Sequence, residues 1–310
     1  MAQLIWGLIK TARPRQWIKN FALFAGLIFS GQLDNPNSLF IVIQAFIIFC
    51  GLSSATYFIN DVFDIERDNQ HPFKKRRPVA SGLISPNVAI AIALTLIIIL
   101  LPLSYRLNPS FFYAALGYLI LQLLYSSFLK SVILLDVMVI AAGFVLRIYA
   151  GIWVIDAHLN VWFLLSIIAF ALFLAIGKRR SELTLWRKEA GKQRETLLHY
   201  PENLLDSLTT MFATSAWITY ALFAFQQPPI IIKPIFTGFF NIAAIPFIEA
   251  KYLMVTVPLV IYGVMRYLYI IYEKREGESP ERVILTDTPI LATVISWLII
   301  IVIIIYYLGG

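Results

Sequence analysis

The chain has 310 residues, 59% of them hydrophobic and only 14% charged, with a formal net charge of +7 and a mean hydropathy of +0.77. Charged residues stand at about half the fraction usual in soluble domains, which excludes an ordinary soluble fold and indicates an integral membrane protein. No soluble basic domain exists to carry the positive excess, so it suits anionic headgroups and phosphate ligands, and no nucleic-acid partner is expected.

Nine apolar stretches approach the roughly 20 residues that a spanning helix needs. They run over 17–33, 39–60, 87–105, 110–129, 133–154, 161–177, 207–226, 251–272 and 289–308. The stretch 228–248 is apolar but broken by Pro228, Pro229, Pro234, Gly238 and Pro246, and reads as a re-entrant or surface-lying hairpin. The expected architecture is an all-α membrane bundle of about nine transmembrane helices, forming one domain over 1–310. Of the 25 Lys and Arg, 21 fall in the N-terminal segment and the connections after spans two, four, six and eight. The positive-inside rule then puts the N-terminus in the cytoplasm and the C-terminus outside. Cys50 is the only cysteine, so there is no disulfide framework and no thiolate metal site. The first apolar run lacks a small-residue cleavage site and reads as a span, not a signal peptide.

In chain order, the first polar feature is Arg13-Pro14-Arg15-Gln16-Trp17-Ile18-Lys19-Asn20. Trp beside Arg and Lys at a span entrance is what headgroups select as an anchor. Asn20 lies deeper, where an amide is costly, and is expected to support the acidic cluster described next.

That cluster is Asn60-Asp61-Val62-Phe63-Asp64-Ile65-Glu66-Arg67-Asp68, followed at once by His71-Pro72-Phe73-Lys74-Lys75-Arg76-Arg77-Pro78. On a helix at about 100° per residue, Asp61, Asp64 and Asp68 fall within roughly 80° of one another. Three carboxylates on one face repel unless a cation lies between them, and hard oxygen donors suit Mg²⁺, or Mn²⁺, shared with substrate phosphates. The neighbouring basic residues suit the phosphates themselves.

Polar groups inside the fifth span cost roughly 2.5–3.5 kcal/mol each on insertion scales. Asp136 and Arg147 are three turns apart and share a stripe with Gly143, near Lys130 at the span's entrance. They form either a cavity wall facing a ligand or a buried charge pairing with a neighbouring helix, with Gly143 and Gly151 as close-packing positions. The sixth span ends in Gly177-Lys178-Arg179-Arg180-Ser181-Glu182-Leu183, where Lys178 and Glu182 are at i, i+4 spacing.

Nine spans with an N-D-x-x-D-x-x-x-D motif ending the second resemble the UbiA superfamily of intramembrane prenyltransferases. The combined set is closest to its decaprenyl-phosphate 5-phosphoribosyltransferase branch. Beside the segments above, Ser81-Gly82, Leu129-Lys130, Asp136-Val137, Gly143-Phe144, Leu146-Arg147, Ala150-Gly151 and Ser279-Pro280-Glu281 near Asp287 carry the resemblance. It implies a UbiA-like bundle with a cytoplasm-facing central cavity. It also implies phosphoribosyl diphosphate as donor and a polyprenyl phosphate as acceptor, with Mg²⁺ on Asp61, Asp64 and Asp68. One departure stands out: relatives that use prenyl diphosphates usually carry a second Asp-rich motif after the sixth span, where this chain has Lys178-Arg179-Arg180-Ser181-Glu182. The expected substrate contacts are Lys74, Arg77, Lys178 and Arg179 to donor phosphates, Lys130 and Arg147 to either anion, and Arg15 and Lys19 to the lipid phosphate. Asn20, Asn60, Asp136 and Glu182 complete the expected substrate-binding set, and His71 is a further phosphate contact to consider. Membrane lipids surround the site, and a homo-oligomer is compatible with the sequence. Two other readings stay open: an ordinary prenyltransferase with an apolar acceptor, and a transporter. A transporter should show mid-bilayer carboxylates and inverted repeats, which this sequence lacks.

Overall fold

The computed structural model describes residues 2–70, 74–158, 160–186, 200–227, 251–274 and 279–308. The expected hairpin over 228–248, the run Arg187 to Arg194, His71 and His199 lie outside them. Among the described residues all regular structure is helical. The main helices are α1 (Ala2–Ala12), α2 (Phe24–Phe29), α3 (Pro36–Phe63), α4 (Ile65–Asn69), α5 (Pro86–Leu107), α6 (Pro109–Ser127), α7 (Leu135–Trp153), α8 (Val161–Trp186), α9 (Glu202–Gln226), α10 (Val257–Tyr269), α11 (Pro280–Thr286) and α12 (Thr288–Val302).

Helix starts follow from a short polar cap with proline just inside. Asn35 accepts from the amides of Asn37 and Ser38 ahead of α3, Ser85 from Val88 ahead of α5, and Asn108 from Ser110 and Phe111 ahead of α6. Eight described helical segments are long and apolar enough to cross a membrane, matching expected spans two to nine. The expected first span is not one α-helix. Pro14–Leu23 is a 3₁₀ helix, entered through Arg13 at φ 52°, and α2 follows. At about 2.0 Å per 3₁₀ residue and 1.5 Å per α residue, these two together cover about 29 Å, close to a bilayer core.

Two compact units are present. The first comprises residues 1–27, 35–158 and 186–201. Its core includes Ala55, Phe58, Val79, Ile84, Ala89 and Ala93, and Phe49 packs on Phe111 and Tyr118 with ring centroids 5.9 and 5.1 Å away. The 3₁₀ segment lies directly on α7: a Cβ on Gly151 would sit 1.9 Å from the carbonyl oxygen of Leu23. Trp17 Nε1 also donates to Ser54 Oγ on α3 at 3.0 Å. Backbone-on-backbone contact at Gly151 and polar anchors on α3 explain why this segment adopts the tighter winding.

The second unit comprises residues 28–34, 159–185 and 202–310. Its core gathers Phe173, Ala213, Val264, Tyr267, Ile270, Ile271, Val283 and Ile290. Gly177 lets α8 approach Ile271, whose Cδ1 would lie 2.6 Å from an added Cβ. Tyr220 joins Thr256 at 2.6 Å and accepts from Trp297 Nε1 at 2.9 Å, which satisfies buried polar groups inside apolar surroundings.

Candidate active site

The carboxylates stand at the C-terminal end of α3, but not on one unbroken helix. α3 ends at Phe63, and Asp64 adopts φ −95°, ψ 4° before α4 begins. Asn60 donates to the Asp64 carboxylate at 3.1 Å, an interaction that competes with regular winding. Helical bonds still bridge the break, since the Asp64 amide donates to the Asn60 carbonyl and the Asp68 amide to that of Asp64.

Each acid has its own cation. Asp61, 2% exposed, accepts from Arg13 Nη2 and lies 3.5 Å from Arg77 Nη1. Asp68, 3% exposed, receives the same Arg77 nitrogen at 2.6 Å. Asp64 takes Lys130 Nζ at 2.6 Å. Asp61 and Asp68 therefore converge on one cationic atom, while Asp64 turns to another. Among the described residues no three acidic, imidazole or thiol groups are gathered to share one ion as they stand. The Asp61–Asp68 pair does fit a hard cation, because one guanidinium nitrogen already occupies the point that both carboxylates reach. Lys74, half-buried, opens the short turn Lys74–Arg76 just before Arg77. Beside this end a cavity of about 570 Å³ opens, its walls including Asp64, Glu66, Arg67, Ser126 and Lys130.

The polar residues deeper in the first unit form a separate network. Asn20 supports no carboxylate. It accepts from Arg147 Nε at 2.8 Å and donates to Ser53 Oγ at 3.2 Å and Cys50 Sγ at 3.3 Å, fully buried. Its position on the 3₁₀ segment faces it to the middle of α3, away from Asp61. Arg147 also donates to the Gly143 carbonyl at 2.7 Å and to Tyr118 at 2.9 Å. Asp136 does not pair with Arg147. It accepts from Tyr200 at 2.6 Å, and the Tyr200 oxygen in turn accepts from the Leu134 amide at 2.7 Å. Lys19 sits half-buried on the 3₁₀ segment and Arg15 is exposed there.

In the second unit, Arg179, 2% exposed, pairs with Glu182, and Lys178 lies 3.8 Å from the same carboxylate group. Arg180 points elsewhere, to Glu202 at 2.7 Å and Asp206 at 2.5 Å. Two of the three cations thus face Glu182, and the third ties α8 to α9. Asp287 caps α12 through the Ile290 amide and receives Arg266 at 2.9 and 3.1 Å and Lys274 at 3.0 Å. The Arg266 guanidinium beside it, helped by Lys274, holds its carboxyl well below the usual carboxylate range. A groove of about 670 Å³ along α9 is lined by Asp206, Ser207, Thr210 and Thr214. Ser207 and Thr210 bond carbonyls of their own helix, so the groove shows no convergent chemistry.

Three participants were not among the expected site residues. Arg13 was visible only as part of a motif, and its left-handed backbone before Pro14 aims it at Asp61. Tyr118 and Tyr200 carry no signal in the sequence, since each meets its partner across 29 and 64 residues.

Among the described residues the fold and the site define a polytopic helical membrane protein with buried carboxylate–cation pairs at the end of a span. The chain belongs to the UbiA prenyltransferase family, whose family model matches residues 20–286. It is 36% identical over 228 residues to the decaprenyl-phosphate phosphoribosyltransferase of Mycolicibacterium smegmatis, covering 72% of each chain. With the enzyme of that name from Corynebacterium glutamicum it shares 31% identity over 306 residues, 97% of this chain and 87% of the relative. In fold it is similar to a UbiA homolog from Archaeoglobus fulgidus bound to DMAPP and Mg²⁺, with a TM-score of 0.69 and 20% identity, covering 97% of this chain and 99% of that one.

Proposed function

We propose that this protein is a Mg²⁺-dependent polyprenyl-phosphate 5-phosphoribosyltransferase, acting as one UbiA-like membrane domain. It moves the phosphoribosyl group from phosphoribosyl diphosphate to a decaprenyl-type phosphate and releases diphosphate. The observation that carries this reading is relatedness over 97% of the chain to an enzyme named for that reaction. The site's chemistry agrees with it.

Asp61 and Asp68, with Asp64 beside them, are the residues to hold Mg²⁺, or Mn²⁺ in its place. When bound there, the ion would neutralise charge on the diphosphate as it departs. Arg77 and Lys130, now the partners of these acids, stand ready to grip donor phosphates, with Lys74 adjacent. In the reaction the ribose C1–O bond to diphosphate breaks, its electrons leaving with the diphosphate. A C1–O bond to the lipid phosphate forms. The acceptor oxygen is already anionic, so no proton has to move. Positioning and charge stabilisation supply the rate.

The basic connections around this site support a cytoplasm-facing orientation. The test is to incubate membranes containing the protein with labelled phosphoribosyl diphosphate, polyprenyl phosphate and Mg²⁺. A labelled lipid that disappears with chelator supports the reading, and its absence under all metal conditions refutes it.

A further inference from the structure

We infer that Tyr200 and Asp136 are positioning residues: through one shared hydroxyl they hold Leu134 in a strained backbone conformation, and that conformation delivers Lys130 to Asp64. The effect on turnover rests on the phosphoribosyl-transfer reading above; the placement of Lys130 does not.

Lys130 reaches Asp64 from the short connection between α6 and α7. The chain leaves α6 at Phe128, makes the 3₁₀ turn Leu129–Ser131, and enters α7 after Leu134. Both flanking helices are packed into the first unit, so the path between them decides where Lys130 points. Leu134 stands at φ 67°, ψ −39°. A left-handed φ on a leucine crowds its Cβ against the backbone, and this combination lies near the γ-turn of positive φ, which is rare and strained. Such a conformation persists only where its surroundings impose it.

Side-chain packing does not impose it. Phe128, Val132, Ile133, Leu134 and Leu135 all have exposed side chains, Leu134 at 42%. Apolar contact is also non-directional and selects no φ. The imposing contact is polar. The Leu134 amide donates to Tyr200 Oη at 2.7 Å, and Tyr200 donates to Asp136 Oδ1 at 2.6 Å. An amide N–H can only donate and a carboxylate can only accept, so the hydroxyl has one sense: its proton faces Asp136 and a lone pair faces Leu134. Tyr200 and Asp136 are both buried, where hydrogen bonds are strong and costly to lose. The Asp136 amide donates to the Val132 carbonyl at 3.1 Å and the Met138 amide to the Leu134 carbonyl at 3.0 Å, which closes the connection around the same point.

At the other end of the connection, buried Lys130 gives its ammonium to Asp64 at 2.6 Å, and both residues line the cavity beside the acidic cluster. Relaxing Leu134 swings the residues before it and takes Lys130 off the carboxylate. Asp136, expected from the sequence to contact substrate, is thereby assigned to the backbone of this connection.

The experiment uses purified full-length protein as wild type, Tyr200→Phe, Tyr200→Phe with Leu134→Gly, Lys130→Gln, and Lys130→Gln with Tyr200→Phe. The first readout is acylation of lysines by a water-soluble N-hydroxysuccinimide ester, mapped by peptide mass spectrometry. Tyr200→Phe should raise the rate at Lys130 about 10-fold through local opening and leave Lys19 unchanged. Adding Leu134→Gly should bring Lys130 partway back, because glycine takes a positive φ without a Cβ. The second readout is phosphoribosyl transfer. Tyr200→Phe should lower kcat/KM about 10- to 100-fold, Leu134→Gly should recover part of it, and in Lys130→Gln the Tyr200→Phe change should cost nothing further. Lys130 labelled at the wild-type rate in Tyr200→Phe overturns the inference. So does a rise of equal size at Lys19, which marks a loosened unit, and so do losses from Tyr200→Phe and Lys130→Gln that multiply. If wild type transfers no phosphoribosyl group while the labelling follows the stated pattern, the phosphoribosyl reading fails and the placement of Lys130 by Tyr200 stands.

Discussion

Removing Arg77 probes the acidic cluster most sharply, because one of its nitrogens serves two buried acids. It lies 2.6 Å from Asp68 and 3.5 Å from Asp61. Taking one partner from a buried ion pair costs about 3–5 kcal/mol. Two features reduce that: the Arg77 side chain is 25% exposed, and Arg13 still holds Asp61. The expected loss for Arg77→Gln is therefore about 2–3 kcal/mol, falling mostly on Asp68. Thermal unfolding in detergent, followed by tryptophan fluorescence, reads it. Mg²⁺ should then stabilise the variant more than wild type, since the place between the two carboxylates no longer holds a guanidinium. At ten times its dissociation constant, a ligand specific for the folded state adds about 1.4 kcal/mol. Adding Asp68→Asn to the variant should recover most of the lost stability and reduce the Mg²⁺ response. An Arg77→Gln protein that unfolds with wild type, or that ignores Mg²⁺, refutes the idea that these carboxylates form one cation-binding pair.

Four further outcomes are expected. Asp61→Asn and Asp64→Asn should each lower turnover by orders of magnitude while leaving a folded protein, as judged by size-exclusion chromatography. Gly151→Ala should destabilise by about 3 kcal/mol or more and sharply reduce the yield of folded protein, because the new Cβ would meet the Leu23 carbonyl at 1.9 Å with no side chain able to yield. Asp287→Asn should destabilise at neutral pH. Its carboxyl is held below the usual range in the folded state, so its contribution is present above about pH 4 and lost as pH falls through the folded-state pKa; the gap to wild type in unfolding scans should narrow only under strongly acid conditions. In a Cys50→Ser background, Glu66→Cys should react with an impermeant thiol reagent only from the cytoplasmic side, and labelling from outside sealed cells would invert the orientation.

Much of the architecture was readable because membranes penalise polar groups so heavily. Eight spans follow from hydropathy, and Asp61, Asp64, Asp68 and Arg147 stood out as costly charges in or beside apolar runs. Asn35, Ser85 and Asn108, each followed by proline, cap the starts of α3, α5 and α6. The 3₁₀ winding of Pro14–Leu23 was not readable, since it depends on Gly151 admitting the Leu23 carbonyl from 128 residues away. Pairing was equally hidden. A sequence shows acids and bases, but Lys130 choosing Asp64 and Tyr200 choosing Asp136 follow from tertiary placement. The same limit misdirected Asn20, whose depth in the span was clear while its direction, toward Arg147, was not.

The central claim is the identity of the transferred group. Purified protein offered phosphoribosyl diphosphate and a prenyl diphosphate at equal concentration, with polyprenyl phosphate and Mg²⁺, gives the most direct measurement, read by mass spectrometry of the lipid product and by diphosphate release. The account predicts a polyprenyl phosphate heavier by one phosphoribosyl group, one diphosphate released per product, and an unconsumed prenyl diphosphate. Consumption of the prenyl diphosphate with phosphoribosyl diphosphate left intact would contradict it.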